Sequence, residues 1–221
     1  MSNLKALILG ILLLVPILIL GFIAIFGEHH FTLPTYYPQL DTTGQVQYTA
    51  QGDTVFHEIP DFSLLSKEGN IFTEAELEGA VYVTHFFTTD CPPACRKISS
   101  QLVRIQETFE NKPEVKIVSI TVNPEDDSVE VLQNYAASYG AEADKWYFLT
   151  GDKQEIFRLA KEGFFLPGAV EQQKLTNSSN HLTLVDKEGK IRGVYEGTDL
   201  KEIDRLKTEI NVLLDEYSKR K

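Results

Sequence analysis

The stretch Val81-Tyr82-Val83-Thr84-His85-Phe86-Phe87-Thr88-Thr89-Asp90-Cys91-Pro92-Pro93-Ala94-Cys95 decides how the chain is read. Its first seven residues are β-branched or aromatic apart from one histidine, the composition of a buried strand. Its last eight carry the only two cysteines among 221 residues. Beyond Cys95, the residues Ile98, Leu102, Ile105 and Phe109 recur at helical spacing and form one apolar face. Both thiols therefore fall where a strand ends and a helix begins, which is where open α/β sheets place their chemistry.

A spacing of four sets two side chains on one helical face, close enough for both sulfurs to meet each other or a single ion. The free N–H groups and the dipole at a helix start favour the thiolate, the form that attacks disulfides and binds metal. Pro92 and Pro93 suit a first turn, where a missing N–H costs nothing. Ordinary disulfide oxidoreductases place two residues between their cysteines, and the third residue here widens the loop enough for a metal. Two thiolates suit soft Cu(I), whereas a structural zinc site wants about four protein ligands and the chain has no further cysteine. The pair reads as a redox couple or a soft-metal site. Two small buried hydrophobes are the plain alternative, poorly served by Cys-Pro-Pro-x-Cys at a strand end.

Around this unit the pattern is regular. Ile59 to Leu65 and Ile71-Phe72, joined by the turn at Lys67 to Asn70, read as a hairpin. Val115 to Val122 reads as the next strand. Asp127-x-x-Glu130 reads as the cap of a helix whose Val129, Leu132, Tyr135 and Tyr139 share a face. Trp146 to Leu149 is a short strand and Lys153 to Glu162 a helix. Gly163 to Asn180 is an irregular stretch long enough to suggest a lid or ligand loop. Leu182 to Val185 and Ile191 to Tyr195 make a second hairpin. Asp199 caps a last helix with the stripe Ile203, Leu206, Ile210, Leu213 and Tyr217. The class is α/β, a central mixed sheet flanked by helices, and a thiol pair after the first buried strand makes the layout thioredoxin-like.

Composition narrows the function. Asp and Glu outnumber Lys and Arg 32 to 21, giving a net charge of −11, which argues against nucleic acid. Ala6 to Phe26 holds no charge and as a helix spans roughly 30 Å, the thickness of a hydrocarbon core. The run ends in a poor cleavage site for a signal peptide. Lys5 is the only Lys or Arg before Lys67, while Glu28, Asp41, Asp53, Glu58 and Asp61 follow the run. This predicts a single-pass transmembrane helix over 1–27, its N-terminus cytoplasmic and the domain extracytoplasmic. Residues 28–57 read as a linker and 58–221 as the domain.

From about His57 onward the sequence resembles the Sco family of membrane-anchored, thioredoxin-like proteins that serve copper delivery to the Cu(A) site of cytochrome c oxidase. The resemblance rests on Phe86 to Cys95, Val118 to Asp127, Tyr139 to Gly151 and Leu184 to Gly189. It implies a membrane-anchored metallochaperone that holds copper, Cu(I) or Cu(II), through Cys91 and Cys95. The implied partner is the oxidase subunit carrying Cu(A) or another copper or thiol protein. The alternative is a thiol–disulfide oxidoreductase in which Cys91 attacks and Cys95 resolves. The family's third ligand is a histidine usually eight residues ahead of the Asp at position 186. That count lands on Ser178, while His181 lies five ahead. A shift of three reverses a side chain's facing in a regular strand, so His181 serves as the third ligand if Ser178 to His181 is loop. The family often has Pro where this chain has Arg96, and an acid where it has Asn123. His85 reads as a sheet-face histidine; capping or loop solvation accounts for Asp90, Asp126 and Asp127 as well as tuning of the site does.

Overall fold

The computed structural model describes residues 2–26, 32–90, 93–166 and 180–220, with the backbone alone for 93–95 and parts of the first helix. It divides into two units, Met1–Thr32 and Leu33–Lys221. Among the described residues the first unit holds one helix, α1, Ser2–Phe26, with Pro16 inside it. Counted over the described residues alone, no helix is long and apolar enough to cross a membrane. The helical backbone nonetheless runs the whole of the uncharged stretch 6–26.

The second unit is built on a seven-stranded sheet. Its elements run β1 Ser63–Ser66, β2 Ile71–Thr73, a 3₁₀ turn Glu74–Leu77, β3 Val81–Phe87, α2 Pro93–Thr108, β4 Val115–Thr121 and α3 Val129–Ser138. Then come β5 Trp146–Thr150, α4 Lys153–Arg158, β6 His181–Val185, β7 Ile191–Glu196 and α5 Leu200–Lys219. The strand order is β2-β1-β5-β4-β3-β6-β7. The middle three are parallel, Val81 to Phe87 pairing with Val115 to Thr121 and Ile117 to Ile120 with Trp146 to Leu149. β1 and β6 join them antiparallel. This is the mixed, helix-flanked, thioredoxin-like sheet expected, and strand β3 has the bounds read from the sequence.

Period-two alternation divides the core in two. Val83 and Phe87 of β3 and Leu182 and Leu184 of β6 pack with Ile98, Leu102 and Ile105 of α2 and the buried stripe of α5. Tyr82 and Phe86 of β3 and Val185 of β6 face the other way, against Ile156, Leu159 and Phe164 of the α4 region. All four predicted α2 positions are buried, as are four of the five in α5. Tyr217 instead lies at the rim, its hydroxyl donating to Glu188 at 3.4 Å.

Three expectations are corrected. Asp127 does not cap α3: Ser128 does, accepting from the Val131 N–H at 3.4 Å, while Asp127 turns inward and is buried. The helix expected to run to Glu162 ends its α-helical course at Arg158 and widens into a π turn, Leu159–Gly163. The described part of the expected linker, from Leu33 to His57, is built onto the domain. Leu33 is buried in the α2-side core, and Arg192 donates to the carbonyls of Leu33 and Pro34 at 2.6 and 3.1 Å. The Tyr36 N–H donates to Ile191 at 2.9 Å, and Tyr37 stacks on Phe165 with ring centres 4.4 Å apart. The physical reason is Arg192, a buried guanidinium already paired with Asp186 and Glu216, whose remaining donors need acceptors that the incoming chain supplies.

Candidate functional site

The site is built at the C-terminal end of β3. Phe87 is the last strand residue and Pro93 the first of α2, so five residues, Thr88 to Pro92, lie between the two elements, of which Thr88 to Asp90 are described. Cys91 lies outside the described residues; Cys95 sits in the first turn of α2, where its backbone alone is described. Among the described residues no three His, Cys, Asp or Glu side chains cluster as a metal site.

What holds the turn is a carboxylate. The chain leaves β4 at Thr121, whose partner across the sheet is Phe87, and loops back through Asn123. The N–H of Asn123 donates to Thr121 Oγ1 at 3.0 Å, and the N–H of Asp127 donates to the Asn123 carbonyl at 2.9 Å. This return brings Asp127, 1% exposed, under the turn. Its Oδ2 accepts from the Thr89 N–H at 3.1 Å and from the Thr121 hydroxyl, and its Oδ1 accepts from the Thr89 hydroxyl. A buried carboxylate is tolerated only when donors surround it, and here three neutral ones do. Behind this latch Ser99 of α2 and Tyr135 of α3 bond through their hydroxyls at 2.9 Å. Burial pushes the Tyr135 phenol well above its ordinary range, so the hydroxyl remains protonated.

His181 is the first residue of β6, not part of a loop. Leu182 pairs with His85 and His181 pairs with Glu196, so it stands at the same end of the sheet as the cysteine turn. The approach to α2 is close at Gly197, where a Cβ would come within 2.9 Å of the Asn180 carbonyl and 3.1 Å of Cγ1 and Cγ2 of Ile98. Ile98 lies three residues past Cys95. Alternation nevertheless turns His181 to the side of Val185, whereas Leu182 and Leu184 face α2. Its side chain is 34% exposed, with Nδ1 buried, without a hydrogen-bond partner among the described residues, and 4.0 Å from Glu196 Oε2. Glu196 is itself held by the Thr198 N–H and hydroxyl at 3.2 and 2.7 Å.

The remaining expected residues separate. His85 is buried in β3 with its ring 5.8 Å from that of Phe87, as a sheet-side histidine should be. Arg96 is exposed on α2. Asn123 Nδ2 donates to Asp126 at 2.8 Å, which closes the return loop. Ser178 lies outside the described residues, as do 167–179 generally. His57, expected only to precede the first strand, donates from Nε2 to the Gly163 carbonyl at 2.9 Å and meets Phe165 edge-on. The Thr89–Asp127 latch and the His181–Glu196 pair went unseen in the sequence, since each joins residues through tertiary pairing.

Residues 50–214 match the family model described as SCO1/SenC. A SCO1 protein homolog of Bacillus subtilis is 29% identical over 152 residues, covering 66% of this chain and 78% of the relative. The structure of BsSco, described as a member of the Sco family of cytochrome c oxidase assembly proteins with a disulfide switch, superposes with a TM-score of 0.60. It is 25% identical, with 70% of this chain and 92% of that one covered. Yeast Sco1 with copper bound superposes with a TM-score of 0.55 at 23% identity, covering 69% and 91% of the two chains.

Proposed function

The chain belongs to the SCO1/SenC family, and from that premise we propose that it is a copper-binding assembly protein for cytochrome c oxidase that carries its cargo on Cys91 and Cys95. The observation that carries the reading is the placement of the only two cysteines, four apart, where β3 gives way to α2. Two thiols at a helix start are a soft, anionic donor pair that suits Cu(I). Relatives support the cargo: yeast Sco1 holds copper in its crystal structure, and BsSco is placed among the oxidase assembly proteins. On this reading the receiving partner is the subunit that carries Cu(A), and the ion passes by exchange of thiolate ligands. His181 is the candidate nitrogen donor that a Cu(II) state would add. The proposed setting is extracytoplasmic, with α1 as a single-pass anchor, because residues 6–26 carry no charge and Lys5 precedes them.

One observation favours a second reading. As a strand residue facing away from α2, His181 is turned from the helix that carries Cys95. Two thiols without a third donor suit thiol–disulfide exchange equally well. Cys91 as thiolate would attack a partner disulfide and release one partner thiolate; Cys95 would then attack Cys91 and release the second. Two electrons pass to the partner, and an external dithiol restores the pair.

Anaerobic loading of the chain with Cu(I), followed by counting copper per protein, tests the first reading. One equivalent is expected in the parent, and a loss of at least tenfold in affinity in Cys91→Ser and in Cys95→Ser. No copper in the parent, with turnover of a disulfide substrate, would establish the second reading instead. A Cu(II) spectrum that is unchanged in His181→Ala removes His181 from the site.

A further inference from the structure

Thr89 stands two residues ahead of Cys91, between a strand and a helix that are both fixed in the fold. Phe87 is held in the sheet by β4 and Pro93 by α2. Thr89 lies between them and gives both its N–H and its hydroxyl to Asp127. Only Asp90, Cys91 and Pro92 remain between the latch and the helix. We propose that Asp127 is the positioning residue of the thiol pair: by holding Thr89 it fixes where Cys91 stands relative to Cys95, and so sets the balance between the dithiol and the disulfide. This rests on Cys91 and Cys95 being the working pair, which both readings above share.

The latch is strong for a definite reason. Asp127 is buried, and the donors named are a backbone N–H and two threonine hydroxyls. Releasing Thr89 would strip a buried carboxylate of two of those donors, a far larger penalty than breaking a hydrogen bond at the surface. Thr89 is therefore held firmly two residues ahead of Cys91, and on this proposal that anchoring is what keeps the effective concentration of one thiol at the other high. Asp127 acts through Thr89, to which it is joined by two hydrogen bonds.

The test is the equilibrium of the purified chain with glutathione. The dithiol and one glutathione disulfide go to the intramolecular disulfide and two glutathione thiols, two electrons passing from the protein to glutathione. Asp127→Asn keeps the shape but presents an amide that cannot accept from both threonine hydroxyls. It is expected to lower the equilibrium constant for forming the protein disulfide about tenfold, a rise of ~30 mV in midpoint potential. Thr89→Val should move the midpoint in the same direction by less, and Thr89→Ser, which keeps the hydroxyl, should restore the parent value. A residue that merely supports the fold would lower the melting temperature without moving the midpoint. If Asp127→Asn does not fold, Thr89→Val decides. Parental midpoints in every folded variant overturn the inference. The copper count is read separately: a chain that binds no copper but shows the shifted midpoint sinks the copper reading alone, and copper bound with identical midpoints sinks this inference alone.

Discussion

Asp127 shows how one residue can be misread from local pattern. Three positions before Glu130 and ahead of an apolar run, it has the signature of a helix cap. The cap is one residue later, at Ser128, and the carboxylate is spent on the cysteine turn. Two buried tyrosines carry a prediction at the same scale. Tyr82 is pushed upward by burial and then by the charge of Asp186; Tyr195 is pushed upward by burial and then by the Glu209 carboxylate that accepts its hydroxyl. A phenol whose folded pKa is raised stays neutral in the fold while the unfolded chain ionises above about pH 10. Its stabilising share is thus complete below that pH and is lost as pH rises beyond it. Denaturation midpoints in urea are expected to hold level from pH 7 to 9 and to fall above 10, with tyrosinate absorbance from Tyr82 and Tyr195 appearing only as the chain unfolds. Early, fully reversible ionisation of both in the folded state would contradict this assignment.

Among the elements, the N-terminal extension departs most from expectation. Proline and glycine at 34, 38, 44 and 52 rightly exclude a helix or a long strand, yet the segment pairs in short isolated bridges, such as Pro38 with Phe56 and Leu40 with Val46. Irregular sequence is not the same as an unattached chain. Leu33 and the carbonyls that satisfy Arg192 belong to the fold as fully as the strands do. A chain beginning at Leu33 is therefore expected to be more stable than one beginning at Glu58 by about 3 kcal/mol. That magnitude combines burial of one leucine with the cost of leaving a buried guanidinium short of acceptors. Urea denaturation of the two chains measures the difference, and equal midpoints would show that the extension only rests on the domain. By contrast the buried faces of α2 and α5 were legible at every position but Tyr217, because an amphipathic helix writes its buried face at a spacing of three and four into the sequence itself.

At the scale of the whole molecule, charge and hydropathy speak more clearly than packing. An acidic domain of the SCO1/SenC family follows a helix whose sequence from 6 to 26 is uncharged. With α1 as an anchor, the chain is expected to sediment with membranes and to resist extraction by alkaline carbonate, and removal of residues 2–26 should release it. Protease added to intact cells stripped of their outer barrier should reach the domain if the orientation follows Lys5. Full solubility of the intact chain after carbonate would remove the anchor from the account.

The sequence by itself determined the elements whose signals are periodic or local: the strand Val81 to Phe87, the helix after Cys95, the two hairpins, the capped last helix, and the thiol pair at a strand–helix junction. It determined the family too, since the resemblance and the match over 50–214 agree. Only the tertiary structure decided the pairings at that end of the sheet. Thr89 meets Asp127 across a sequence separation of 38, and His181 meets Glu196 by strand register. Neither pairing leaves a repeat to read, because sheet order and register are properties of the assembled strands. For the same reason a histidine five residues ahead of Asp186 could be counted in the sequence, but its facing was settled only when β6 was seen to begin at His181 itself.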